Sequence, residues 1–253
     1  MSNSRQSERQ TLVNKRIGKL CKDFMHYVNL GAQKYTGPSV YFHVKTVERF
    51  QNLGSSVSRA VKDERFSELL YATLVSWGMH DMRGARMPDF GTFCAGIAKL
   101  SPKIKTLSGY QITTLPKSDK QNILDSVWQL IKALPGSATK SSLVANSKLL
   151  HHLLPQLVPP IDRINTGLFF GYEDGASFQG KEEQIFDFIF PQMISIAKEN
   201  KDTLDHFTYE GFNSSPTKVI DNAIVGFVGK EGLKEQVKER KKEKREKRRM
   251  ARA

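Results

Sequence analysis

The sequence predicts an all-α fold: one multi-helix globular domain ending in a basic charged tail. Three observations carry that expectation. Apolar residues recur at intervals of three and four along most of the chain, the strict alternation of a half-buried strand is hard to find, and Gly, Pro and Ser clusters divide the periodic runs into helix-sized pieces. With 253 residues, 39% of them apolar, the chain is long enough to bury a core. The expected organisation is a polar N-terminal segment at 1–10, a helical domain at 11–229, and a basic tail at 230–253, helical or disordered.

Taken in order, Val13, Ile17, Leu20, Phe24 and Val28 share one helical face. The Gly37-Pro38 break precedes a second helix over 40–53, and Gly54-Ser55-Ser56 separates it from a third. That third helix starts near Asp63 and carries Phe66, Leu69, Leu70, Leu74 and Trp77 into Gly78. Residues 88–100 form the next, stopped by Pro102. Ser118 and Gln121 have capping-box spacing ahead of Ile123, Val127, Leu130 and Ile131, and Pro135-Gly136 ends that helix. A helix over 141–154 follows up to Pro155, and a short one begins near residue 160 or 161. Residues 180–200 are helical with Pro191 as a kink or interruption. Ser215 and Pro216 read as N-cap and first-turn proline for Val219, Ile220, Ala223, Ile224 and Phe227. Only 40–44 and 110–115 have any extended character, and no repeat of fixed period occurs.

The formal charge of +13 is unevenly distributed, because residues 230–253 hold twelve Lys or Arg against five Glu. Another basic stretch includes Arg5, Arg9, Lys15, Arg16, Lys19 and Lys22. A polyanion is the natural partner for such a chain, since each neutralised phosphate releases counterions. Nucleic acid, with DNA favoured, is therefore the expected partner. No run of about 18 apolar residues and no signal-peptide core occur, so no membrane partner is expected and the expected location is cytoplasmic, at the nucleoid if DNA is bound. Cys21 and Cys94 lack CxxC spacing, which argues against a disulfide scaffold or thiolate metal site. His151 and His152 cannot both face one cleft from adjacent helical positions. His26, His43, His80 and His206 lack ligand partners nearby in sequence, so neither metal nor other cofactor is expected. Phosphate-loop, dinucleotide, hydrolase-elbow and kinase motifs are absent.

The chemistry-bearing residues concentrate between Leu134 and Arg163. A Gly turn, Lys140, Lys148 and Asp162 fall within thirty residues there. An amine and a carboxylate brought to one cleft can open an N-glycosidic bond: the neutral amine attacks the anomeric carbon to form a Schiff base, and the carboxylate stabilises the developing sugar cation. Lys148 lies in an otherwise apolar helix beside Val144, Leu149 and Leu150, where a lysine either snorkels or is held in a cleft. Lys140 reads as a first-turn surface residue. Asp162 also reads as a helix N-terminal acid after Pro159-Pro160.

These residues resemble the helix-hairpin-helix DNA glycosylase superfamily. Leu134-Pro135-Gly136 matches the family's hairpin and precedes Lys140, while Pro160-Ile161 precedes Asp162; Ala138 stands where the hairpin normally has a second glycine. The resemblance implies a helical DNA-binding scaffold with Lys140 as nucleophile and Asp162 as carboxylate; Lys148, in its apolar helix and closer in sequence to Asp162, competes with Lys140 for the amine role and is slightly preferred. The expected nucleic-acid contacts are Trp77, His80 and Arg83 on a Gly-flanked loop, Gly136, Ser147, His151 and Arg163 around the hairpin, and Lys218 at a helix start. The expected function is thus a DNA-binding helical protein acting as a base-excision glycosylase/lyase. The alternative is a non-catalytic nucleic-acid-binding or ribonucleoprotein-associated module in which the Lys/Asp pair is structural.

Overall fold

In the computed structural model the described residues are 2–80, 86–138, 141–172, 178 and 180–250, with side chains described from residue 6 onward except at 248. They form an all-α fold of thirteen helices. No strand occurs among them, the single β-bridge joining Glu210 to Asn213. Among the described residues no helix is long and apolar enough to cross a membrane.

The first apolar stripe is divided between α1 (Ser2–Lys22) and α2 (Phe24–Ala32), and residues 2–10 of the polar N-terminal segment form the start of α1. Several of its cations are committed to the fold. Arg16 donates to the Leu168 and Phe169 carbonyls at 2.6 and 3.0 Å, Arg9 stacks 4.1 Å from the Tyr172 ring centre, and Lys19 pairs with Glu231 at 2.5 Å. The basic N-terminal residues therefore act partly as packing groups.

Next come α3 (Pro38–Asn52), the single turn α4 (Val57–Ala60) and α5 (Glu64–Ser76). Residues 40–44, given extended character by sequence, lie inside α3, where Gly37 takes a positive φ that admits the chain to Pro38. Asp63 caps α5 by accepting from the Phe66 N–H at 2.7 Å and pairs with Arg49 of α3. A buried Thr46–Thr73 hydroxyl contact of 2.8 Å ties the same two helices farther along.

Pro102 does not end α6 (Phe90–Leu107). The proline has no N–H for the Ala98 carbonyl, and the Ser101 hydroxyl donates to that carbonyl instead, at 2.9 Å. Pro191 likewise sits inside the continuous helix α10 (Glu182–Glu199). The Ser118 capping box does not form: α7 (Lys120–Ala133) starts after Asp119 without a side-chain cap, and Ser118 donates to Asp119 instead.

Helix α8 (Leu143–Leu153) is buried along nearly its whole length although its sequence carries Asn, Ser, Lys and two His. Except for Lys148, each polar group has a structural partner. Asn146 donates to the Ile131 and Leu134 carbonyls at 2.7 and 2.8 Å and accepts from the Gly136 N–H at 2.7 Å, closing the end of α7. The Ser147 hydroxyl accepts from Ile161 N at 3.0 Å, fixing the strap that leads to Asp162. Glu182 of α10 takes the Ser142 and Leu143 N–H groups at 2.8 and 3.1 Å, capping α8 from another helix.

The short helix expected near 160 begins later, as α9 (Asn165–Phe169), because Asp162 caps it from three residues back. After α11 (Lys201–Asp205), the chain enters α12 (Pro216–Lys230), capped by the Ser215 hydroxyl as its sequence predicts. This helix is buried on every side from its first turn to Val228 and packs most extensively on α2. Small residues permit the approach. A Cβ at Gly31 would overlap the Asn222 carbonyl, and one at Gly226 the Tyr27 carbonyl. The contact presents Tyr35, just beyond α2, to the first turn of α12. Finally α13 (Leu233–Met250) is rooted by buried Leu233 and Val237, after which its described side chains are exposed. The tail is thus helical through Met250.

Candidate functional site

A cavity of about 670 Å³ opens where α5, α8, α9 and α12 converge. Trp77, Tyr35 and Phe212 supply its aromatic surface, while Lys148, Lys218, Asp162, Asp221, Arg163 and Asn165 supply polar groups. The volume lies within the usual range for small-molecule and cofactor sites.

Lys148 projects from the middle of α8 and keeps partial exposure because it faces this cavity. Its Nζ lies 5.7 Å from the Trp77 ring centre and makes no hydrogen bond among the described residues. Burial pulls its amine below the ordinary lysine range; the Asp162 and Asp221 carboxylates oppose that shift, and Lys218 and Arg163 reinforce it. Less of the blocking proton is therefore carried than by a surface lysine.

Asp162 is held by the backbone that follows it. Its Oδ1 accepts from Ile164 N and Asn165 N, both at 2.6 Å, and its Oδ2 accepts from Asn165 Nδ2 at 3.2 Å. Capping and a cavity-facing role therefore coincide in one carboxylate. The strap carrying it is fixed to α8 through Ser147, so Lys148 and Asp162 are mounted on connected elements.

Lys218 does not reach a surface phosphate as its place beside an N-cap suggests; it is 1% exposed. Complete burial of α12 turns this side chain inward, onto Asp221 Oδ2 at 2.6 Å, Asn222 Oδ1 at 2.7 Å and the Phe212 ring at 3.9 Å. Burial lowers the lysine pKa and raises that of Asp221, and each partner opposes the other's shift. With three such partners, Lys218 is a fixed part of the wall, unlike Lys148.

Other expected contacts are also redirected. Gly136 is buried and its N–H is taken by Asn146, so it is closed to phosphate. Ser147 and His151 are buried in structural hydrogen bonds and present no surface to nucleic acid. Trp77 lines the cavity and donates to the Ser39 carbonyl at 3.0 Å. His80 is exposed on an adjoining apolar groove with Pro38, Phe42 and Tyr71. Arg163 lines the cavity, and its Nη2 reaches Ser141 Oγ at 3.3 Å. Lys140 and Arg83 lie outside the described residues.

A histidine cluster behind the cavity is absent from the sequence reading. His43 of α3 meets His152 of α8 at 3.0 Å, and His151 lies alongside, with ring centres of His43 and His151 6.0 Å apart. The Lys148 carbonyl can only accept, so the 2.8 Å contact fixes the proton on His152 Nδ1. His152 Nε2 must then accept from His43 Nδ1, and His43 Nε2 from the Ser214 hydroxyl at 2.8 Å. Trp77 stacks on His43 at 5.4 Å, so the cluster supports one cavity wall and grips the Lys148 backbone. Burial and mutual repulsion lower the pKa of His43 and His151 well below normal, and burial brings His152 to about 4. The only sequence signal was two histidines in a run of leucines. No group of His, Cys, Asp and Glu among the described residues forms a metal centre. Comparisons with family models, curated proteins and solved structures find no match to this chain.

Proposed function

We propose that the chain binds DNA and accepts one nucleotide unit in this cavity, where Lys148 acts as the amine of a base-excision glycosylase/lyase and Asp162 as its carboxylate. The observation that carries the reading is a largely buried, cavity-facing lysine with a lowered pKa and no committed partner among the described residues, sharing one cavity with a carboxylate held by two backbone N–H groups. Neutral Nζ attacks the anomeric carbon as the bond to the base breaks, and the departing base leaves with that electron pair and takes up a proton. Asp162 stabilises the cationic sugar between those events. Loss of the amine proton and opening of the sugar ring give the imine, from which removal of a C2′ proton expels the 3′ phosphate. The resemblance of 134–163 to helix-hairpin-helix glycosylases supports the same class of chemistry; its motif points to Lys140, and Lys148 is preferred because it faces the cavity with Asp162.

The alternative, a non-catalytic nucleic-acid-binding or ribonucleoprotein-associated module, is favoured by α13. Residues 238–250 carry nine Lys or Arg against three Glu, on a helix whose described side chains beyond Val237 are all exposed. Borohydride trapping on duplex DNA with an abasic site separates the two. The lyase reading expects a covalent adduct with the native chain and none with Lys148→Ala, whereas retained DNA affinity with no adduct in either leaves only the binding module.

A further inference from the structure

Helix α13 continues to Met250 with every described side chain beyond Val237 exposed, so no packing contact dictates its sequence there. Its charges are nevertheless sorted by face. At about 100° per residue, Glu235, Glu239, Glu243 and Glu246 fall on one arc of about 80°, while the eight Lys and Arg between 234 and 247 cover a separate arc of about 220°. Sorting of this kind works against the helix itself. Among charged pairs three or four residues apart in 234–247, eleven are of like charge and five of opposite charge, and like pairs at those spacings disfavour a helix. A solvated spacer gains by mixing the signs, whereas a helix that lays many cations against a polyanion gains by separating them. Leu233 and Val237, which root the helix, fall inside the basic arc, so the Glu stripe faces away from the domain.

The same residues narrow the partner. Between Lys238 and Arg249 there is no apolar or aromatic residue, so the helix has neither the apolar face that an interfacial membrane helix buries nor the rings on which single-stranded bases stack. A flat anionic surface would meet less than half of the circumference, and the basic arc exceeds half. A groove with a phosphate backbone on either wall matches it: the major groove of B-form DNA, about 12 Å wide, admits one α-helix. The major groove of duplex RNA is too narrow. We propose that α13 lies in the major groove of duplex DNA, with its basic arc touching the phosphates of both strands and its Glu stripe facing solvent. Residues 238–249 would span about five base pairs at about 1.5 Å per residue. The inference rests on the chain binding nucleic acid and does not involve the imine step at Lys148.

The test moves charge between faces at constant composition. Glu239→Lys and Glu246→Lys combined with Lys241→Glu and Lys244→Glu keep the net charge, put two carboxylates in the middle of the basic arc, and add opposite-charge pairs that favour the helix. Fluorescence anisotropy of the full chain with duplex DNA, duplex RNA of the same sequence and single-stranded DNA reads the result. The native chain should bind duplex DNA about tenfold more tightly than either of the others. The rearranged chain should lose about tenfold or more on duplex DNA, with a salt slope shallower by about two and an unchanged melting temperature. If the rearranged chain melts lower, the native preference for duplex DNA over duplex RNA still decides. Equal binding of duplex DNA by a stable rearranged chain, or native binding of duplex RNA as tight as that of duplex DNA, overturns the inference and leaves nucleic-acid binding intact. Binding to phosphatidylserine vesicles but to no polynucleotide, or no binding at all, overturns both.

Discussion

Acidification should unfold this protein in a pH range set by its buried histidines. His43, His151 and His152 are all held neutral in the fold, His152 down to about pH 4. In the unfolded chain each returns to a value near 6.5. Their folded pKa values are depressed, so between those limits the unfolded state binds more protons and stability falls as pH falls. The slope approaches about 1.4 kcal/mol per pH unit for each group below its unfolded pKa, so lowering the pH from 6.5 to 5 removes about 1.6 kcal/mol per histidine, or about 5 kcal/mol for the three. That rivals the whole stability of many domains. Asp221, whose pKa burial raises, opposes the trend by taking up a proton in the fold. Asp63 and Asp89, whose pKa values are lowered by hydrogen bonds and by Arg49 in the case of Asp63, act only near pH 4 and below. Urea titrations at pH 7.5, 6 and 5 measure the effect. A midpoint that stays constant from pH 7.5 to 5 would refute the neutral cluster.

Three further outcomes follow from packing and charge. Gly226→Ala should cost several kcal/mol or prevent folding, because the new methyl overlaps the Tyr27 carbonyl at the α2–α12 contact; a loss under about 0.5 kcal/mol in thermal denaturation would contradict that close approach. Asn146→Ala should cost about 3 kcal/mol by stranding the Gly136 N–H and two carbonyls, whereas a melting temperature within a degree of native would show these groups to be satisfied otherwise. Removing residues 238–253 spares buried Leu233 and Val237 and should flatten the dependence of DNA affinity on salt while leaving stability unchanged. An unaltered salt slope would mean that α13 does not touch phosphate.

Helix periodicity was legible because it depends on residues three and four apart, and the apolar faces of α3, α5, α7 and α12 follow directly from it. Helix ends were less so. Pro102 is tolerated through a neighbouring serine hydroxyl, and α9 starts late because its cap reaches back to Asp162, effects that no apolar count registers. The site divides in the same way. Lys148 and Asp162 could be paired because they are close in sequence and one sits conspicuously in an apolar helix. Lys218 was misread as a phosphate ligand because the cap pattern Ser215-Pro216 is the same whether the helix is at the surface or buried all round. His43 with His151 and His152, and Tyr35 with Asn165, are joined only through tertiary contacts across more than a hundred residues, and neither group leaves a local pattern.

The account turns on which nitrogen bonds to the sugar. The most direct measurement is peptide mapping by mass spectrometry of the borohydride-reduced complex with abasic duplex DNA. The account predicts a deoxyribose-derived mass on the peptide containing Lys148, with Lys218 unmodified in its ion pair. A modification found at Lys140 or Lys218 with Lys148 untouched, or on no lysine at all, would contradict it.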